Sequence, residues 1–97
     1  MALIKMNKHQ VYDVIADNLD WFKREDDLRY LSCQSIGAKI NKALKKNGGE
    51  DPPQIRLCGS TLTAMVCDGV LERQFIQTAR CYWYRPILPI SEEYKSE

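Results

Sequence analysis

The chain has a single histidine, His9, and lacks any C-x-x-C pair, phosphate loop or dinucleotide fingerprint. One histidine near an end of the chain disfavours a Ser/His or Cys/His couple for nucleophilic catalysis. Without metal-ligand spacing or a glycine-rich cradle there is no signature of a zinc centre or of a nucleotide cofactor. Asp13 and Asp17 stand one helical turn apart, as paired carboxylates can, but no apolar shell surrounds them to divide them into acid and base. These absences point to a non-catalytic protein that uses no cofactor. Long apolar runs are missing as well: Ala2 to Ile4, and Ile87 to Ile90 with Pro89 inside it, fall far short of a membrane span or a signal-peptide core. No membrane partner is expected, and a cytoplasmic location is the simplest. Nor is there an excess of one charge. Fourteen Lys and Arg face thirteen Asp and Glu, a net charge of +1, so the total supplies no argument for nucleic acid, a membrane or an acidic partner.

What is present is an ordinary globular composition. Of 97 residues, 44% are apolar and 28% charged, enough to fold and room for one core only, so residues 1–97 are read as a single domain. Cys33, Cys58, Cys67 and Cys81 are separated by 25, 9 and 14 residues. They read as reduced thiols acting as small hydrophobes in or near the core; convergence on zinc, or pairing in an exported chain, is the alternative.

Val11, Val14, Ile15, Leu19 and Phe22 recur at three-four spacing and predict a helix from Asn7 to about Lys23. Its opposite face carries the acidic row Asp13, Asp17 and Asp20, with no basic residue spaced to neutralise it before Lys23 and Arg24. Arg24 to Arg29 is too charged for a core element and reads as a connection, after which Tyr30 and Leu31 predict a very short strand. Ser32 is a good N-cap for a second helix with Ile36, Ile40 and Leu44 inward, ending at Asn47-Gly48-Gly49. Gly37 within it predicts the close passage of another segment, since glycine there costs about 1 kcal/mol relative to alanine. Asp51-Pro52-Pro53 reads as the start of a third helix with Ile55, Cys58, Gly59, Leu62, Met65 and Val66 on one face and Gly69 as its C-terminal cap. Ser60 is a competing start that would halve it. Beyond Gly69 the residues turn β-branched and aromatic, predicting a hairpin that turns near Gln77-Thr78-Ala79, although no Gly or Asn marks the turn. Ser91 to Glu97 read as a polar tail.

Three helices, a strand residue or two after the first and a hairpin behind the third form the order of a winged helix-turn-helix domain. Ser35-Ile36-Gly37-Ala38-Lys39-Ile40 resembles the second helix of such domains. Leu62 to Arg73, with Met65 four before Gly69, Val70-Leu71 after it and the Glu72-Arg73 step, is similar to a third helix running into its first wing strand. The resemblance implies an α+β fold with core residues 7–86, a C-terminal hairpin wing and a tail over 87–97. It also implies a small DNA-binding protein, a transcriptional regulator, in which helix three enters the major groove. The longer, glycine-containing connection from Lys45 to Asp51 departs from the compact bacterial form, where three or four residues join the two helices.

Counted by segment, the charge is polarised. Asp13 to Asp27 hold six acids against Lys23 and Arg24; Leu28 to Gly49 hold five basic residues and no acid; Gln74 to Ser91 add Arg80 and Arg85 without an acid. The expected contacts to double-stranded DNA are Lys39, Lys42, Lys45, Lys46, Arg73 and Arg80 on phosphates, and Arg56, Ser60 and Thr63 on helix three, where only Arg56 has the donor fork suited to guanine. Ala64 can meet a thymine methyl. The alternative is a protein-interaction module, adaptor or inhibitor, or a homodimer, using Leu57, Ala64, Tyr82 and Tyr84. In the blander reading Leu57 packs under the hairpin and the aromatic face that looks inward closes the core. A single-strand or RNA binder stacking bases on Tyr82 to Tyr84 is a third possibility.

Overall fold

Asn7 opens the first helix with a reciprocal cap: its side-chain oxygen accepts from the Gln10 N–H at 2.9 Å, and the Gln10 side chain accepts from the Asn7 N–H at 3.0 Å. In the computed structural model, which describes residues 5–47 and 54–95, this helix is α1 (Lys8–Asp17), burying Val11, Tyr12 and Ile15. It is shorter than its periodicity predicts. Asn18 turns its amide onto the Val14 carbonyl at 2.8 Å, and the chain tightens into a 3₁₀ turn, Leu19–Trp21. That turn still delivers Phe22 into the core, fully buried.

The charged stretch read as a connection forms a hairpin of its own. In it β1 (Lys23–Arg24) pairs antiparallel with β2 (Asp27–Leu28) around Glu25, whose φ is 54°. Charge did not prevent pairing, because these strands bury little and satisfy their backbone groups on each other. This added hairpin makes the element order differ from the one expected. Next come β3 (Leu31–Ser32) and α2 (Cys33–Asn47), joined at Ser32, whose hydroxyl accepts from the Ser35 N–H at 3.1 Å and so acts as the expected N-cap. Ile36 and Ile40 are buried. Gly48 and Gly49, the predicted stop, lie outside the described residues, as do Asp51, Pro52 and Pro53.

The third helix, α3, spans Gly59–Cys67, so the longer version starting near Asp51 is corrected. Residues 55–58 lack regular structure for a specific reason. The Asn41 side chain takes both backbone groups of Ile55, accepting its N–H at 2.8 Å and donating to its carbonyl at 3.1 Å. Those groups are then unavailable to a helix, and Ile55 reaches the core from an irregular segment instead. Within α3 only Leu62 and Met65 are buried. Gly69 ends it at φ 82°, with the Gly69 N–H on the Val66 carbonyl and the Val70 N–H on that of Met65.

The sheet follows at once. β4 (Leu71–Ile76) and β5 (Cys81–Pro86) form the predicted hairpin, and β3 pairs on the other side of β5, giving the order β3-β5-β4 with Leu31 opposite Tyr84 and Arg73 opposite Tyr84. The turn falls over residues 77–80, and Arg80, at φ 53°, takes the left-handed position that Gly or Asn usually fills. The class is mixed α+β, with three helices and two small antiparallel sheets among the described residues. One hydrophobic cluster joins α1, α2, α3 and the inner ends of β4 and β5.

The tail is corrected too, because residues 91–95 are docked. The Ser91 N–H donates to the Tyr12 hydroxyl at 2.9 Å, the Tyr94 ring meets Tyr12 edge-on at 5.2 Å, and the Tyr94 hydroxyl donates to Asp68 at 2.6 Å beside Lys8. Lys95 lies 3.5 Å from Asp17, so the acidic row of α1 receives a cation from the far end of the sequence.

Candidate nucleic-acid interface

Helix winding divides the predicted basic residues of α2. At about 100° per residue, Lys39, Lys42 and Lys46 share one flank, while Gly37 and Asn41 face the segment 55–58 on another. Lys39, Lys42 and Lys46 line a depression of about 300 Å³ together with Asn18, Trp21 and Ala43. Lys39 also borders a larger open depression of about 730 Å³, where Arg24 and Arg29 come in from the first hairpin, Ser32 and Ser35 from the start of α2, and Gln74 and Trp83 from β4 and β5. Lys39 lines both depressions, and the two linings, together called the trough, carry Arg24, Arg29, Lys39, Lys42 and Lys46. Asp27 is the carboxylate in its lining, and it is already engaged, accepting from the Leu28 N–H at 2.8 Å and lying 3.4 Å from Arg85. Lys45 is exposed but borders neither depression.

Arg24 and Arg29 were not among the expected contacts, and Trp83 was expected only as a platform for unpaired bases. Arg29 falls in the acid-free stretch of the sequence, a signal that was available; Arg24 falls in the acidic one and only the first hairpin brings it round. Arg85 is a cation the trough does not gain. Its guanidinium is bound by Glu72, donates to the Leu28 carbonyl at 2.6 Å and lies 4.4 Å from the Tyr30 ring centre, and the Glu72 hydrogen bond pushes its pKa up.

Strand alternation sets the two faces of the hairpin. Leu71, Arg73, Phe75, Tyr82, Tyr84 and Pro86 share one, with Glu72, Gln74, Ile76, Cys81, Trp83 and Arg85 on the other. Tyr84 is 5% exposed and closes the core, so it is withdrawn from the partner-binding set. Tyr82 stays exposed, with the Arg73 guanidinium 4.0 Å from its ring centre, and Arg80 is exposed in the turn. The Trp83 indole N–H is buried and has no hydrogen-bond partner among the described residues.

The contribution of α3 is uncharged. Ser60 and Cys67 are exposed, Thr63 and Ala64 half-buried, and no residue of the helix carries a charge. Arg56 and Leu57 precede the helix rather than lying on its outer face. Arg56 is exposed beside a groove of about 290 Å³ that Met6, Val11, Ile55, Leu57 and Thr61 help to line. Leu57 is packed against the core and beside α2: its carbonyl accepts from the Cys33 thiol at 3.4 Å, and its Cβ lies 3.4 Å from where a Cβ on Gly37 would stand, an ordinary contact, so the segment passes close to Gly37 without this contact alone requiring glycine.

No protein-family model, curated protein or solved structure matches this chain.

The geometry alone therefore defines the candidate site. Among the cysteines only Cys33 packs against the core, where burial, and secondarily Cys58, pushes its thiol pKa up; Cys58, Cys67 and Cys81 are exposed, which corrects their reading as core hydrophobes. Chemically, the trough offers ammonium and guanidinium groups, with Ser32, Ser35 and the Trp83 indole in its lining.

Proposed function

We propose that this chain is a small winged-helix DNA-binding protein, a transcriptional regulator, that grips duplex DNA mainly by its phosphates. The observation that carries the reading is the trough, two depressions sharing Lys39 whose linings together hold five cations, with the carboxylate among them paired with Arg85. The hairpin directly behind α3 and the β3-β5-β4 sheet support the winged-helix part of it. In this reading α3 is the base-reading helix, with Ser60, Thr63 and Ala64 outward and Arg56 just before it. Lacking a charged side chain, α3 confers weak sequence preference.

The test is the salt dependence of binding to a fluorescent random duplex. Each phosphate contact contributes about 0.9 to the slope of log K against log salt, so five contacts give a slope of about −4.5. K39A/K42A/K46A is expected to flatten it by about 2.7. A slope that the triple substitution leaves unchanged removes the proposal.

One observation favours a second reading, a non-catalytic protein-interaction module. The uncharged outer face of α3 adjoins a largely apolar groove at Met6, Ile55 and Leu57, a composition that suits a protein partner. No retardation of random duplex at low salt and high protein concentration would favour it.

A further inference from the structure

Toward its turn the β4–β5 hairpin carries a surface that the phosphate trough does not use. On the face shared by Arg73, Phe75, Tyr82 and Tyr84, the inner residue Tyr84 is buried, whereas Phe75 is 49% and Tyr82 40% exposed. The two exposed rings are paired, 5.4 Å apart between centres and at 77°, and Arg73 lies over Tyr82. The charge here has one sign: from Arg73 to Pro86 the sequence has no acid, and of its three arginines only Arg85 is neutralised, by Glu72. Arg73, over Tyr82, and Arg80, in the turn, have no ion-pair partner among the described residues.

Size and charge together select the occupant. With about 200 Å² in each aromatic side chain, the two half-exposed rings leave roughly 200 Å² of apolar surface, well below the ~800 Å² per partner of a lasting protein interface. They are nevertheless large enough for one or two nucleobases, whose flat faces stack on any aromatic ring and whose flanking phosphates need cations beside that ring. We infer that the hairpin tip binds unpaired nucleobases, stacking them on Phe75 and Tyr82 while Arg73 and Arg80 hold the adjoining phosphates. This is a second site, for single-stranded nucleic acid, and it does not depend on the duplex reading of the trough. It moves the stacking role from Tyr84, buried here, to Phe75.

The experiment measures binding of labelled oligothymidylate, oligouridylate and random duplex to the wild type, F75L, F75W and K39A/K42A/K46A. Phe75 is outside the core, so F75L should melt with the wild type, and F75W supplies an independent readout through indole fluorescence quenched by oligothymidylate beyond that of the wild type. F75L should weaken oligothymidylate binding about 5-fold or more and leave duplex binding unchanged. F75W should restore the single-strand affinity, and the lysine variant should weaken duplex binding most. The ratio between oligouridylate and oligothymidylate tells RNA from DNA as the preferred source of the bases. The inference is overturned if the wild type binds neither single strand, if F75L binds oligothymidylate as tightly as the wild type, or if it weakens both probes equally. It is also overturned if sedimentation shows a self-association that F75L abolishes, since the patch then joins two copies. Failure of the trough would appear in the duplex measurements alone.

Discussion

Asn41→Ala tests why α3 begins where it does. The substitution removes two hydrogen bonds at once, from the Ile55 N–H at 2.8 Å and to the Ile55 carbonyl at 3.1 Å. Ile55 is 6% exposed, so water has little access to replace them. A hydrogen bond contributes a net 0.5–1.5 kcal/mol or so, and a buried group left without a partner costs about 1–3 kcal/mol. Because Asn41 is itself only half-buried, part of the deficit can be hydrated, and the expected loss is about 2–4 kcal/mol. For a chain of this length that lowers the melting temperature by roughly 10–20 °C. Asn41→Asp should do comparable harm, because it keeps the acceptor for the N–H but sets a carboxylate oxygen against the carbonyl. Lys45→Ala, exposed on the same helix, should stay within about 0.5 kcal/mol of the wild type. Urea denaturation followed by circular dichroism gives all three values. If Asn41→Ala also stays within about 0.5 kcal/mol of the wild type, this side chain does not hold the segment, and the explanation for the late start of α3 is wrong.

Two further outcomes are expected. Gly69→Ala should cost about 1 kcal/mol, through backbone strain alone, because φ is 82° and nothing lies within 4 Å of the added Cβ; thermal melting checks it, and an unchanged midpoint would contradict the left-handed cap. Hydrogen bonds from Lys8 and Tyr94 hold the Asp68 carboxyl below its ordinary pKa. A carboxylate with a depressed folded pKa contributes stability above its unfolded value, near 3.9, and that contribution disappears as pH falls through the folded value. The docked residues 91–95 should therefore loosen in acid, and Asp68→Asn should flatten the acid limb of stability against pH; melting at a series of pH values checks both, and an identical acid limb in the variant refutes the assignment.

Local signals in the sequence carried well into the structure. The Ser32 cap, the inward Ile36 and Ile40, the Gly69 stop and the position of the hairpin turn each depend on residues a few places apart. Expectations failed where a distant partner decided the outcome. The third helix loses its first turns to Asn41, fourteen residues upstream, and the tail docks because Tyr12 and Asp68 receive it. The first hairpin escaped notice because exposed charged strands bury no apolar pattern to read. At the candidate site, the sequence grouped Lys39, Lys42, Lys45 and Lys46 without distinguishing them, and setting Lys45 apart and bringing in Arg24 and Arg29 required the fold. Alternation put Tyr82 and Tyr84 on one hairpin face correctly. How far along that face the core extends is a tertiary fact, and it separates buried Tyr84 from exposed Phe75.

The strand order has a consequence for how the molecule is made. β5, the latest strand in the sequence, occupies the middle of its sheet, between β3 and β4. A chain emerging from the ribosome as far as Ile76 has both outer strands and no centre, so Leu31 and Leu71 remain uncovered by Tyr84 and Pro86 until residues 81–86 arrive. The sheet then closes in a single late event that joins contacts more than fifty residues apart with those of a neighbouring hairpin. Completion of the sheet thus waits on a non-local pairing. Ribosome-bound chains ending before Cys81 should be digested readily by protease, while those extended past Pro86 should resist it.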